Sequence, residues 1–495
     1  MRKNAITLLL LLGFLLLPIS SSAISSTLAQ PYSQNHTASE GILEHVPYVW
    51  QEINGFCGWA AASIALQYID VDLDLHDVFA VSTIGFSYAY IHYNDTILTY
   101  PGAIYTQAEP LDFLADLHGV NYTIYLSGDL TGAAEYEQYW ESQGINVGIL
   151  GGEVEAFALM RNSIDAGYPL IISVDPIWLP PADYDILRLQ SSTGGAHGVV
   201  IVGYNDTSGT AKIMDPGVGS FGDLFGYPDD GRGNYTEITY TALNNAWSQR
   251  YYISNLLIPV DAPVSDYSSR LGSMIRDKLL GVGTVYAAGS SSAYLWDFGE
   301  KAFRKMSEDF SVAGLTAYFS IFDGIDNEVA FKSSILLFMG LGIESAVTLQ
   351  YLSFRKAVEK LPSLLPDIDL ATFVQSAEDA LPHMDALSSN NTLIFPGNLT
   401  YIDGLVSETF YEMSIEYNET GDMANTLALY STELGQISTH LLGVADGWLA
   451  AGNALAEIWS NNPLIVYGPL ILLAAAAAGV TVLYAIFQIR SKPSQ

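Results

Sequence analysis

The chain of 495 residues carries 53 aspartate and glutamate residues against 19 lysine and arginine residues, which gives a formal net charge of −34 at pH 7. Because contacts with phosphate groups require basic side chains, this balance argues against nucleic acid as a partner. The single cysteine cannot form a disulfide within the chain, so its thiol calls for another explanation.

The N-terminus predicts a secretory signal peptide over residues 1–29. Arg2 and Lys3 precede an apolar segment from Ile6 to Leu17, and small residues follow it. This apolar segment is shorter than the roughly 20 residues that a membrane-spanning helix needs. The polar residues 30–45 then predict a flexible lead-in.

Residues 46–260 predict a domain of mixed α and β structure. Apolar periodicity indicates helices at Cys57–Tyr68, Pro110–Leu117 and Val154–Asp165. Short runs rich in branched residues indicate strands, separated by loops rich in Gly, Pro and Asp. The predicted strands are Leu170–Val174, Val199–Val202, Lys212–Met214 and Tyr251–Pro259.

Residues 261–462 predict an all-α region. Its apolar run Ile335–Ile343 is too short to span a membrane and is followed by Glu344, so we expect a buried helix there. The pattern fits a stalk, a lid over a cleft or a platform for a cell-surface protein partner, and it does not choose among them. The predicted helices are Ser268–Leu280, Tyr294–Phe310, Phe331–Lys360, Leu370–Leu387, Leu405–Tyr417 and Thr426–Trp459.

The C-terminus predicts one transmembrane helix over residues 463–488. Leu464 to Gln488 holds no charge, and Arg490 and Lys492 follow, so the positive-inside rule makes residues 489–495 a cytoplasmic tail. Together with the signal peptide, this predicts a single-pass protein of the cell membrane whose N-terminal bulk is extracellular. Asn-x-Thr sequons before the span agree with that side and mark surface positions. They begin at Asn35, Asn94, Asn121, Asn205, Asn234, Asn390, Asn398 and Asn418.

Four residues form a candidate site for thiol chemistry. Cys57 begins a predicted helix, where unpaired N–H groups and the helix dipole favour a thiolate. His197 begins a predicted buried strand and can serve as the base. If its strand pairs antiparallel with the next one, Asp215 lies beside His197 and orients the ring. Gln51 and the Cys57 N–H are the expected donors to an oxyanion. Asp206 is nearer to His197 in sequence but falls in a predicted hairpin loop, so it ranks lower.

No cofactor or metal is predicted. The remaining histidines, such as His45, His76 and His92, show no metal-ligand spacing, and the sequence contains no Gly-rich phosphate loop.

These residues resemble the papain-like cysteine peptidase superfamily, and in particular the bacteriocin-leader-processing (double-glycine) peptidases. The motifs are Gln51, Cys57-Gly58-Trp59-Ala60, His197 before an apolar strand ending Gly203-Tyr204, and Asp215-Pro216. The resemblance implies an α+β papain-like fold over about residues 46–260, followed by the all-α region and the C-terminal membrane helix. It implies the roles of oxyanion donor, nucleophile, base and orienter for Gln51, Cys57, His197 and Asp215.

A second likeness is to the N-terminal domain of the butirosin-biosynthesis acyltransferases, through Gly85–Tyr90 and Gly167–Pro181. Three functions therefore stay open. The favoured one is a membrane-anchored extracellular thiol peptidase or amidohydrolase acting on a peptide or amide substrate. The alternatives are an acyltransferase with the same triad and a non-catalytic cell-surface binding or adhesion protein.

Overall fold

The structure is a computed structural model, and it describes residues 39–93, 96–101, 109–190, 195–218, 231–260, 266–282, 295–390 and 402–461. The predicted signal peptide (1–29), membrane helix (463–488) and cytoplasmic tail (489–495) lie outside the described residues. They stay predictions.

A mixed sheet of eight described strands forms the framework of the N-terminal region. Its strands run in the order β5-β4-β10-β6-β7-β8-β9, and β1 pairs with β7. Every pairing is antiparallel except β4 with β5. The strands are β1 (Glu40–Ile42), β4 (Val120–Ser127), β5 (Asn146–Leu150), β6 (Leu170–Val174), β7 (His197–Asn205), β8 (Thr210–Met214), β9 (Thr236–Thr239) and β10 (Ser254–Pro259).

Helices pack around this sheet. The strand β7 is buried on both faces through Val199–Val202, as expected of a central strand between layers. The first helix packs on it through small side chains, which let helix and strand approach closely. The helices of this region are α1 (Cys57–Tyr68), α2 (Leu75–Val81), α3 (Pro110–Leu117), α4 (Ala133–Ser142), α5 (Glu153–Asp165), α6 (Asp185–Gln190) and α7 (Tyr240–Ser248). Among the described residues, short 3-10 helices lie at Ile84–Phe86, Pro176–Trp178 and Ala182–Tyr184.

The described part of the second region is helical, as predicted, apart from one short strand. Where Tyr294–Phe310 was expected to be one helix, the structure has β11 (Leu295–Phe298) and then α9. Gly299 separates them with a φ of 58°, a left-handed conformation that suits glycine. The helices are α8 (Tyr267–Leu279), α9 (Glu300–Asp309), α10 (Val312–Ser320), α11 (Glu328–Leu364), α12 (Ala371–Ala386), α13 (Leu405–Thr420), α14 (Met423–Leu429) and α15 (Ser431–Asn461).

The two regions share a second, three-stranded sheet. The hairpin of β2 (Tyr88–Tyr93) and β3 (Thr96–Pro101) comes from the N-terminal region, and β11 pairs antiparallel with β2. The helical region is thus joined to the N-terminal domain by main-chain hydrogen bonds as well as by packing. We call this contact the junction.

The expectation of a flexible lead-in over residues 30–45 is wrong for its C-terminal part. Glu40–Ile42 forms β1 on the edge of β7, and the Leu43 N–H donates to the Val202 carbonyl at 2.8 Å. The physical reason is that β7 extends past the end of β6, which leaves main-chain groups for β1 to pair.

One described helix, α11, is long and apolar enough to cross a membrane. Of its most apolar 18-residue window, 56% is buried within the protein, and a buried core helix passes the same test. Within the predicted buried helix at Ile335–Ile343, one face is buried, through Leu336, Met339, Leu341 and Ile343, whereas Phe338 is 53% exposed.

Candidate active site

Cys57 is the first residue of α1 and is partly exposed. The N-cap residue, Phe56, offers no side-chain hydrogen bond to the first turn. The main-chain N–H groups of Gly58 and Gly198 instead lie close enough to interact with the thiol. The sulfur therefore lies where a helix N-terminus favours negative charge.

The strand β7 lies directly against the first turn of α1. A Cβ built at Gly198 would lie 2.9 Å from the Gly58 Cα and 3.3 Å from the Cys57 carbonyl carbon. Because both partners are backbone atoms that cannot give way, only glycine fits at position 198. This close approach places the preceding residue, His197, next to Cys57.

His197 and Asp215 form a buried pair. Their strands are antiparallel neighbours, as the sequence analysis required, with Val200 opposite Met214. The His197 Nε2 lies 2.8 Å from the Asp215 Oδ1, and the side chains are 5% and 0% exposed. Since Nε2 faces the carboxylate, Nδ1 is the ring nitrogen left for the hydrogen bond between His197 and Cys57.

The charges of these groups shift each other's pKa. Burial alone raises the pKa of the Cys57 thiol, but the positive His197 and its hydrogen bond, with the N–H groups of Gly198 and Gly58, lower it below its ordinary value. Burial alone lowers the pKa of His197, but the charges of Asp215 and Cys57 raise it to about 10. A thiolate facing an imidazolium is the protonation state that these shifts favour.

The Asp215 carboxylate is held by two donors besides His197. The Tyr184 hydroxyl donates to Oδ1 and Oδ2 at 2.9 and 3.0 Å, and the Gly217 N–H donates to Oδ1 at 3.0 Å. Sequence reasoning missed both residues, since a tyrosine in a Pro- and Asp-rich loop carries no periodic signal. Only the position of Gly217, two residues after a candidate acid, hinted at a local turn.

Gln51 is buried beside the same loop. Its N–H donates to the Pro216 carbonyl at 3.1 Å, next to Asp215. The predicted oxyanion role of its side chain stays a prediction. Asp206, ranked lower from the sequence, lies elsewhere and forms an ion pair with Arg161 at 2.8 Å.

No group of three or more His, Cys, Asp and Glu side chains converges as a metal site among the residues that the structure describes. Two other histidine contacts involve only two side chains each. The His76 Nε2 lies 2.6 Å from the Glu52 Oε1, and the His383 Nδ1 lies 3.1 Å from the His440 Nδ1. The reactive groups that meet in the described site are the thiol, the imidazole and the carboxylate.

The comparisons with known proteins concern the N-terminal region that contains this site. Residues 43–247 match the family model described as Peptidase_C39 like family. A solved structure from Bacillus anthracis, described as a C39-like peptidase, is 16% identical and covers 46% of this chain and 100% of its own, with a TM-score of 0.27. A TM-score of that size supports no argument about the fold. No curated protein matches the chain.

The matched segment contains Gln51, Cys57, His197 and Asp215, and it spans the large sheet from its β1 edge to α7. Residues 43–247 are therefore similar to the C39-like peptidase family.

Proposed function

We propose that the protein is a cysteine peptidase or amidohydrolase in which Cys57, His197 and Asp215 act as nucleophile, base and orienter. The observation that carries the proposal is the continuous chain of contacts from Cys57 through His197 to the buried Asp215. A thiol with a lowered pKa beside a histidine with a raised pKa is the arrangement that nucleophilic catalysis needs.

The chemistry follows from the positions of these groups. The Cys57 thiolate attacks the carbonyl carbon of the scissile amide, forming a C–S bond and a tetrahedral oxyanion. The Gln51 amide and the Cys57 N–H are the proposed donors to that oxyanion. His197 then gives its proton to the leaving nitrogen as the C–N bond breaks. In the second half, His197 takes a proton from water, which attacks the thioester and releases the acid and the thiolate.

We also propose that the domain acts outside the cell, tethered to the membrane by residues 463–488. The support is the uncharged segment from Leu464 to Gln488 with Arg490 and Lys492 after it, together with the apolar N-terminal segment. On that side of the membrane, oxidation of the thiol is a hazard, so activity is expected to depend on reducing surroundings.

The first test is alkylation of Cys57 in the full-length protein with iodoacetamide from about pH 4 to 9, comparing wild type with His197→Ala. Because the chain has one cysteine, every label reports Cys57. We expect fast labelling well below the ordinary thiol pKa of about 8.5, and its loss in His197→Ala. Labelling that follows an ordinary thiol pKa in both proteins would contradict the ion pair.

The second test is a screen of peptides and amides with Cys57→Ala as the control. We expect wild type to cleave a substrate and Cys57→Ala to lose that activity while its circular dichroism and melting temperature stay close to wild type. Adding a primary amine separates hydrolysis from acyl transfer. If the acyl-enzyme is resolved by the amine in preference to water, the acyltransferase alternative replaces hydrolysis. If no acyl-enzyme forms with any substrate, the binding-protein alternative gains.

A further inference from the structure

Tyr184 is fully buried at the end of the 3-10 helix Ala182–Tyr184, in contact with two of the three residues proposed for catalysis. Its hydroxyl donates to both carboxylate oxygens of Asp215, and its oxygen lies 3.2 Å from the His197 Nε2. Its ring centroid is 5.8 Å from that of His197. No part of the sequence reasoning assigned this residue a role.

We propose that Tyr184 is a positioning residue of the reaction, which fixes the Asp215 carboxylate so that His197 presents Nδ1 to Cys57. The proposal rests on the proposed function, because it assigns Tyr184 to that same site. A positioning role differs from a packing role in one testable respect. The effect of the Tyr184 hydroxyl on the reactivity of Cys57 must depend on the Asp215 carboxylate.

The burial of Asp215 explains why a donor is needed. A carboxylate that is 0% exposed has lost its water and depends on protein donors for its remaining lone pairs. The His197 ring and the Gly217 N–H supply donors to Oδ1. The Tyr184 hydroxyl also reaches Oδ2, so it fixes the rotation of the carboxylate about its Cβ–Cγ bond.

The hydroxyl remains a donor throughout the working pH range. Burial raises the pKa of Tyr184 well above its ordinary value, and the negative charge of Asp215 raises it further. The phenol therefore stays protonated at every pH at which the pair of Cys57 and His197 is charged.

Tyr184 is itself held by its neighbours on both sides of the site. The adjacent Asp183 forms an ion pair with Arg232, with an N–O distance of 3.1 Å. Gly233, the residue after Arg232, accepts the Asp215 N–H with its main-chain carbonyl at 2.9 Å. The loop carrying Tyr184 and the segment facing Asp215 are thus linked directly. A positioning role requires such support, because a mobile tyrosine could not fix a carboxylate.

The test is a double-mutant cycle with Tyr184→Phe and Asp215→Asn in the full-length protein, with the rate of Cys57 alkylation near pH 6 as readout. Tyr184→Phe removes one oxygen atom and keeps the ring. We expect it to slow alkylation about 10-fold in the wild-type background, since a hydrogen bond to a buried charge is lost. In the Asp215→Asn background we expect no further slowing. Equal slowing in both backgrounds, or none in wild type, would overturn the proposal.

The matched control is Tyr48→Phe. The Tyr48 hydroxyl also donates to Asp215, but to its main-chain carbonyl, at 3.1 Å. We expect this variant to lose some stability and to keep the wild-type alkylation rate. Slowing as large as that in Tyr184→Phe would mean that the alkylation rate reports loop stability and not the carboxylate, and the proposal would fail.

Two further measurements keep the outcome decisive. If Tyr184→Phe does not fold, Tyr184→His, which retains a donor, is compared with Tyr184→Leu, which has none, and faster labelling of the histidine variant is required. With a substrate in hand, Tyr184→Phe should lower kcat and leave KM near wild type. Alkylation needs no substrate, so a failed substrate screen with an intact cycle counts against the proposed function and not against Tyr184.

Discussion

The pair of His197 and Asp215 and the junction are both buried, but they are built from opposite kinds of contact. Around Asp215, fixed polar groups meet at hydrogen-bond distance and glycines make room for them. At the junction, aromatic rings carry the contact: Tyr88 stacks on Phe303 at 4.4 Å, and Phe86 meets Phe354 edge-on at 5.8 Å. Polar geometry depends on tenths of an ångström, whereas apolar packing tolerates small shifts at a cost in stability. The triad should therefore lose chemistry when it is disturbed, and the junction should lose stability.

The largest effect is expected from Gly217→Ala. A Cβ there would lie 2.6 Å from the His197 Cε1 and 2.8 Å from the Tyr184 hydroxyl oxygen, so the histidine ring must move. Misplacement of about 1 Å costs roughly 100-fold in rate, and we expect that loss in Cys57 alkylation near pH 6 and in kcat/KM. The control is Gly435→Ala on α15, whose new methyl group meets nothing within 4 Å. Wild-type alkylation in Gly217→Ala would show that the site tolerates displacement.

A smaller effect, on stability alone, is expected from Gly85→Ala at the junction. Its Cβ would lie 2.5 Å from the Ala357 Cβ and 2.9 Å from the Ser353 carbonyl oxygen, both on α11. The Gln350 side chain, which donates to the Gly85 carbonyl at 2.6 Å, would shift with them. We expect the free energy of unfolding to fall by roughly 1–3 kcal/mol in urea titrations, with alkylation of the folded protein unchanged.

The control for the junction is Gly342→Ala on the same helix. It is exposed, its methyl group would meet nothing within 4 Å, and alanine should raise the free energy of unfolding by up to about 1 kcal/mol. If Gly85→Ala slowed alkylation as much as Gly217→Ala does, a disturbance at the junction would reach the candidate site. The expected separation between effects on stability and effects on chemistry would then be wrong. A route for such coupling exists, because a Cβ at Gly55 would lie 3.0 Å from the Leu349 side chain of α11.

The sequence predicted the contact between His197 and Asp215 better than it predicted the junction, and the reason is physical. Cys57 at the start of an apolar helix and His197 at the start of a buried strand are polar groups in positions that packing alone does not explain. The bounds of α1, α3 and β6 were confirmed because their periodicity and end signals are local. Tyr184 was missed because its role exists only once β7 and β8 pair and bring Asp215 to it.

The junction depended on contacts between distant parts of the chain. Leu295–Phe298 has no strand signal stronger than its helical periodicity, and it becomes a strand because β2 offers it an open edge. Tyr88, Phe86 and Phe303 are apolar residues in an apolar sequence, which indicates burial but not the partner. Local pattern therefore predicts which residues are inside and leaves open what they contact.

Stability should also depend on pH at the interface of α8 with the N-terminal domain, where the buried Lys278 lies within the electrostatic influence of Glu109. Lys278 is 2% exposed, and its burial lowers its pKa to about 7. The negative charge of Glu109 acts in the opposite direction but is the smaller effect. Burial likewise raises the pKa of Glu109 to about 8, although its carboxylate accepts the Asp112 N–H at 2.7 Å. Unlike His197, whose pKa is raised, these two groups are held closer to their neutral forms.

The sign of the expected effect follows from proton counts. Between about pH 7 and the ordinary lysine pKa near 10.4, unfolded Lys278 binds a proton that the folded protein lacks, so stability rises with pH. Lys278→Met removes this term. From about pH 8.5 to 10, where Glu109 is mostly ionised in both states, the wild type should gain stability relative to Lys278→Met, by up to about 1.4 kcal/mol per pH unit. Lys301→Met, at an exposed position of α9, is the control and should leave the slope as in wild type. Parallel curves for wild type and Lys278→Met would mean that water reaches Lys278 in the folded protein. The alkylation rate of Cys57 should stay the same in both lysine variants, because the pKa values of Cys57 and His197 are shifted by each other, by Asp215 and by the N–H groups of Gly198 and Gly58.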